Sequence, residues 1–171
     1  MRLFSRLSIA IAGVGALCTL AVPASASPTD KAAIVKLEEQ FTEAVKSKDI
    51  NKIMSYYAPD ESLVVFDVST PRQYVGWKAY KDDWQEAIDL CSGPIDFEIS
   101  DVAVVAADSN IAFGHNIQHY ACTRKDGSRY EFTMRVTDGY ENRQGKWLIA
   151  HEHGSVPVDF TTFKPDMTSK P

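Results

Sequence analysis

Four histidines and a pair of cysteines are the residues of this chain whose spacing could do chemistry. The histidines come as two pairs, His115/His119 and His151/His153. On an extended strand, residues two or four apart point to the same side, so each pair can present two imidazoles to one place. Imidazoles so placed can line a pocket, carry protons, or bind zinc or copper. No CxxC motif, no Cys/His zinc spacing and no third-ligand motif accompanies them. The expectation is therefore a hydrogen-bonded pocket lining with no metal and no cofactor, in which His115 and His119 are satisfied residues rather than catalysts.

Whether the two pairs meet depends on strand register. Asp126-Gly127 is a two-residue type I′ hairpin signal, which pairs Lys125 with Ser128, His115 with Asp138 and His119 with Met134. The loop Asn142 to Gly145 is read with an odd-sum pairing, because that keeps the apolar faces together. On this register Phe113, His115, Ile117, His119, Met134, Val136, Asp138, Tyr140, Trp147, Ile149, His151 and His153 share one face. Asn116, Gln118, Thr133, Arg135, Thr137 and Glu152 take the other. The first face is mostly apolar with a few ionisable groups, the composition of a pocket floor under a helix layer. A bulge in either strand would reverse the parity beyond it.

The elements that must position these residues follow from periodicity. Ala33, Ile34, Leu37, Phe41, Ala44 and Val45 recur at helical spacing over residues 28–47, with Ser27 and Asp30 placed to cap the start. A short helix after Asp49 uses Ile50, Ile53, Met54 and Tyr57 and stops at Pro59. Leu63 to Val68 is β-branched and apolar, as in a buried strand. Trp77, Tyr80, Trp84, Ala87, Ile88 and Cys91 form the clearest helical stripe, ended by Gly93-Pro94. From Ile95 the period becomes two, giving four antiparallel strands near 95–106, 111–123, 128–141 and 146–156. The class is α+β, with helices on one face of a sheet. The turn at Asp108-Ser109-Asn110 brings Cys122 beside Ile95, close to Cys91, so these two form a disulfide or a pair of buried thiols. Residues 159–171, with Pro165 and Pro171, read as a peripheral tail.

Composition sets the compartment and excludes some partners. Of 171 residues, 44% are hydrophobic and 24% charged, with a formal net charge of −5. No run of Lys and Arg exists to meet a phosphate backbone, so nucleic acid is not an expected partner. Residues 1–26 read as a secretory signal peptide. Arg2 and Arg6 form a positive start, Leu7 to Val22 is uncharged and apolar, and Ala24-Ser25-Ala26 is a small-x-small cleavage site. Without them 145 residues remain, with a charge of −7. The expected location is periplasmic or secreted, with no stable membrane anchor after cleavage and with Cys91 and Cys122 as the remaining thiols.

Several segments together resemble a known family. They are Tyr56-Tyr57-Ala58-Pro59-Asp60 leading into Val65-Phe66-Asp67, the Gly76-Trp77 helix start, Arg135 to Tyr140, and Gly145 to His153. With the element order, they make residues 27–158 similar to the SnoaL-like, ketosteroid-isomerase-like branch of the nuclear transport factor 2-like superfamily. The resemblance implies a cone-shaped fold, three N-terminal helices packed on a curved, mainly antiparallel sheet. It also implies a small hydrophobic or carbonyl-bearing ligand and a homodimer. Carried over from ketosteroid isomerase, Asp67 falls near the carboxylate that shuttles the proton and Asp138 near the acid that hydrogen-bonds the enolate. Phe41 stands where that family places its oxyanion-hole tyrosine and cannot donate, so Tyr57, Tyr140 or a histidine would have to substitute. The expected ligand-binding set is Tyr57, Trp77, His115, His119, Arg135, Tyr140, His151 and His153. The superfamily also holds non-catalytic modules, among them kinase-association domains similar to the Gly-Lys-Trp to His-x-His strand. A periplasmic ligand-binding or dimerisation module is therefore the alternative to an isomerase, cyclase or dehydratase.

Overall fold

A computed structural model of the chain describes residues 28–106 and 108–169. The expected signal peptide and the Ser27 cap lie outside these residues. Helix α1 (Pro28–Lys46) buries the stripe Ile34, Leu37, Phe41, Ala44 and Val45, and Glu38 falls on that same stripe. Helix α2 (Ile50–Met54) starts where the Asp49 side chain accepts the amides of Asn51 and Lys52, both at 3.1 Å. Helix α3 (Trp77–Leu90) buries Tyr80, Trp84 and Ile88. At its end Lys48 Nζ donates to the carbonyls of Cys91 and Gly93, at 2.8 and 3.2 Å. A Cys91–Cys122 disulfide staples this end of α3 to the sheet.

The helices cover one face of a six-stranded sheet. Its strands are β1 (Val64–Phe66), β2 (Tyr74–Val75), β3 (Asp96–Ala106), β4 (Ile111–Thr123), β5 (Arg129–Arg143) and β6 (Lys146–Ser155), in the order β2-β1-β6-β5-β4-β3. Only β1 and β6 run parallel among these pairs. The tail adds a hairpin, β7 (Val158–Asp159) with β8 (Lys164–Pro165). It then returns to β5, where Thr133 N donates to Met167 O at 2.7 Å. Between helices and sheet, Phe41 meets Tyr56, Tyr57, Trp84 and Phe97 edge-on, with centroids 5.7–6.1 Å apart.

The register of β4 on β5 differs from the expected one by a single residue. Arg124 N donates to Ser128 O, Gly127 N donates to Arg124 O, and Gly127 has φ +86°. The loop is thus three residues long, Lys125 to Gly127, with glycine in the left-handed position rather than inside a two-residue turn. Asp138 then pairs with Gly114, and His115 with Thr137. One residue of slip turns β4 over relative to β5. Gly114, Asn116, Gln118 and Tyr120 face the helices, while Phe113, His115, Ile117 and His119 face away.

The β5–β6 turn does follow the odd sum. Gln144 and Gly145 both have positive φ, and Arg143 pairs with Lys146. A bulge then intervenes, because Tyr140 pairs with Ile149 but Gly139 with His151, leaving Ala150 extra. Beyond it Glu152 faces inward and His151 and His153 outward. All four histidines therefore lie on the face away from the helices, and the expected histidine-lined floor is corrected to one lined by amides, carboxyls and aromatic rings.

Candidate functional site

The inner face divides along the strands into an open and a closed end. At the open end α3 stands off the sheet and leaves a cavity of about 280 Å³. Its floor is Gln118, Tyr120, Phe132 and Met134, its helix wall Tyr80, Trp84 and Ala87, and its rim Asp67, Asp83 and Glu86. Asp67 comes directly after β1, with its carboxylate also accepting Ser69 N at 3.0 Å. Asp83 accepts the Tyr74 hydroxyl at 2.6 Å, and burial, together with the charges of Asp67 and Glu86, pushes its carboxyl up to about 6.

At the closed end three carboxyls are buried together. Asp138 and Glu152 are direct cross-strand neighbours, and Glu38 descends on them from α1. Glu152 accepts the Tyr80 hydroxyl at 2.6 Å and the Tyr57 hydroxyl at 2.8 Å. Tyr140 donates to Glu38 at 2.7 Å and lies 3.3 Å from Asp138, which also accepts Asn116 Nδ2 at 3.1 Å. Burial pushes Glu38 and Glu152 each up to about 7, against hydrogen bonds from the tyrosines that favour the charged form. Burial and then the charges of Glu152 and Glu38 raise Asp138 well above the ordinary carboxylate range. Asp138 is thus held toward its neutral form, and when it carries a proton it can donate to Tyr140 while Tyr140 donates to Glu38.

Tyr80 joins the two ends, since it lines the cavity and its hydroxyl donates to Glu152. Burial and the Glu152 charge hold that phenol well above its usual range, so it stays protonated. When Glu152 carries a proton it can donate to the Tyr80 oxygen, freeing the Tyr80 O–H for a neighbour on the cavity side.

The expected site residues separate on this frame. Asp67 lies on the cavity rim, whereas Asp138, Tyr57 and Tyr140 lie in the buried network. Trp77 donates from Nε1 to Met54 O at 2.9 Å and ties α3 to α2 away from the cavity. Arg135 is exposed on the outer face, opposite Ile117 and Ser155. Also outside, His119 meets Thr133 at 3.1 Å, and His151 Nδ1 lies 2.8 Å from Val64 O. His151 and His153 both pack against the Phe66 ring. Among the described residues no group of three or more His, Cys, Asp or Glu is arranged to hold a metal ion.

Glu38, Tyr80, Asp83, Asn116, Gln118 and Glu152 belong to the two ends but were not expected there. Glu38 carried a signal, being four residues after Ile34 and three before Phe41. Asn116, Gln118 and Glu152 were hidden by the register.

This architecture matches known proteins. A protein of the nuclear transport factor 2-like type, of unknown function, from Pseudomonas putida KT2440 is 32% identical over 86% of this chain and 100% of that one, with a TM-score of 0.75. A nuclear transport factor 2-like superfamily protein from Salmonella enterica serovar Typhimurium LT2 is 15% identical over 77% of this chain and 94% of its own, with a TM-score of 0.68. A Novosphingobium aromaticivorans protein provisionally named a scytalone dehydratase is 12% identical over 74% and 83%, with a TM-score of 0.66. At these last two identities the likeness shows the fold alone. No curated protein matches the sequence. The SnoaL-like domain family matches residues 34–159, nearly the whole of the described fold, and the chain belongs to that family within the nuclear transport factor 2-like superfamily.

Proposed function

We propose that this protein binds a small, largely apolar ligand in the open-end cavity and moves a proton on it. Asp67 is the base, and Tyr80 backed by Glu152 is the donor. The observation that carries this reading is the Tyr80 hydroxyl, 2.6 Å from a carboxyl held near neutrality on a side chain that also lines the cavity. On a carbonyl ligand, Asp67 takes the proton from the carbon beside the carbonyl. Tyr80 gives its proton to the developing enolate oxygen, and Glu152 replaces it. This moves the donor role from Asp138 to Tyr80, because Asp138 is 1% exposed and does not line the cavity. The donor arm requires protonated Glu152, so the rate should fall as pH rises through about 7.

Enolisation and dehydration of a ketone panel test the assignment with Asp67→Asn and Tyr80→Phe. Each should lower the rate by about 100-fold or more. Wild-type rates in both variants would remove the chemistry. The second reading, a non-catalytic binding module, is favoured by Asp138 standing behind the cavity wall rather than in it. Native mass spectrometry of protein isolated from the cell envelope separates the two, since a module retains an unreacted ligand.

The same reading places the mature protein in an oxidising compartment, in keeping with the Cys91–Cys122 disulfide. It also makes the outer sheet face, where Phe66, Val105 and Phe113 are exposed, the dimer surface.

A further inference from the structure

The charges around the cavity are all of one sign. Asp67, Asp83 and Glu86 stand at its rim, and none of the residues lining it is Lys, Arg or His. Like charges so placed repel one another, and a counter-charge inside the cavity relieves them. The walls have the matching character, because Trp84, Phe97, Tyr120, Tyr130 and Phe132 are aromatic, and the face of such a ring attracts cations. Tyr130 already takes one cation this way, with the Arg124 guanidinium 4.5 Å from its ring centroid. Arg124 itself is not among the lining residues.

An independent feature lies on the floor. Gln118 is 2% exposed and lines the cavity, yet among the described residues no side chain or backbone group hydrogen-bonds its carboxamide. A buried amide with no partner is costly unless something in the cavity pairs with it. Its oxygen can accept an N–H from below, while the rim carboxylates accept from above.

We propose that the ligand of this cavity is an organic ammonium, a protonated amine on an aromatic or apolar body, seated among the rings with its N–H groups shared between Gln118 and the rim acids. This rests on the reading that the open-end cavity is the ligand site, and it adds the charge of the ligand. Carboxylates and phosphate esters are excluded by the same rim that attracts the amine.

Three probes of similar size test it by calorimetry on the mature protein: phenethylamine, 2-phenylethanol and phenylacetate. The amine should bind about tenfold or more tighter than the alcohol, with phenylacetate weakest. Asp83→Asn keeps an acceptor for the Tyr74 hydroxyl while removing one rim charge. It should cut the amine's advantage over the alcohol about fivefold. Equal binding of amine and alcohol, or tighter binding of phenylacetate, overturns the ammonium assignment but keeps the cavity as a ligand site. No binding of any probe to the wild type overturns both. An advantage untouched by Asp83→Asn also overturns the assignment, since the selectivity then arises elsewhere.

Discussion

At the closed end of the cone Glu38, Asp138 and Glu152 are each at most 3% exposed and are held by tyrosine hydroxyls and Asn116. At the open end Asp67, Asp83 and Glu86 keep access to solvent around a cavity of about 280 Å³. The residue types are the same, carboxyls beside tyrosines, and the difference is what replaces water. Where protein groups replace it completely, the acids are driven toward neutrality and become part of the packing. Where a cavity remains, the acids stand where a ligand can reach them. The closed end should therefore govern stability and the open end binding, with Tyr80 and Glu152 the one point of exchange.

The largest expected effect is on the pH dependence of stability. Glu38 and Glu152 titrate at about 7 in the folded chain against an ordinary glutamate value of 4.5, and Asp138 is shifted the same way. The folded state then holds more protons than the unfolded state between those values, so stability falls as pH rises through this window. The open-end acid Asp83, raised less and half-buried, adds little to it. The lowered acids, Asp60, Asp126, Asp159 and Asp166, are fully exposed and act only below about pH 4, in the opposite sense. Denaturant melts should show the protein more stable at about pH 5.5 than at about pH 8, by on the order of 3 kcal/mol. A Glu38→Gln, Glu152→Gln double variant should flatten that slope. A slope of the opposite sign would mean that the closed end is hydrated rather than sealed.

Next in size is the contrast between removing an acid and replacing it at each end. Asp138→Ala leaves Asn116 without its acceptor and opens a small hole beside Tyr140, costing about 2–3 kcal/mol. Asp138→Asn imitates the uncharged form that burial favours and should cost under about 1 kcal/mol. At the open end Asp67→Ala changes a half-exposed residue outside the core and should shift stability by less than about 0.5 kcal/mol. Similar losses from Asp138→Ala and Asp67→Ala in thermal melts would erase the distinction.

How much of this was legible in the sequence depended on the scale of the signal. Helix α3 and strands β3 to β6 came within about two residues of their expected ends, because long periodic runs average out local ambiguity. The Cys91–Cys122 pairing was within reach because it depended only on which strands are neighbours. The site was far less legible, since it depended on parity, and parity turns on single residues. Gly127 in a three-residue loop moved every histidine of β4 to the outside, and Ala150 in a bulge did the same in β6. Asp-Gly occurs in both loop types, and a bulge of this kind has no residue signature. Glu38 was the exception, a buried acid on a clean helical stripe.

The finest comparison uses one glycine at each end. A Cβ on Gly114 would stand 3.0 Å from the Ala103 carbonyl, which is sheet backbone, and 3.2 Å from the Tyr140 ring, which the closed network holds. A Cβ on Gly154 would stand 3.2 Å from Met134 Sδ and 3.4 Å from Val68. Met134 is an unbranched side chain on the cavity floor and can swing into empty space. Gly114→Ala should thus cost about 1–3 kcal/mol with no change in ligand affinity, because the strain has nowhere to go but the sheet. Gly154→Ala should cost less than about 1 kcal/mol but weaken probe binding severalfold, because Met134 moves into the ligand's volume. The pair is read by measuring melting and phenethylamine affinity on both variants. If Gly154→Ala destabilised as much as Gly114→Ala and left affinity untouched, the cavity floor would be as tightly packed as the closed end.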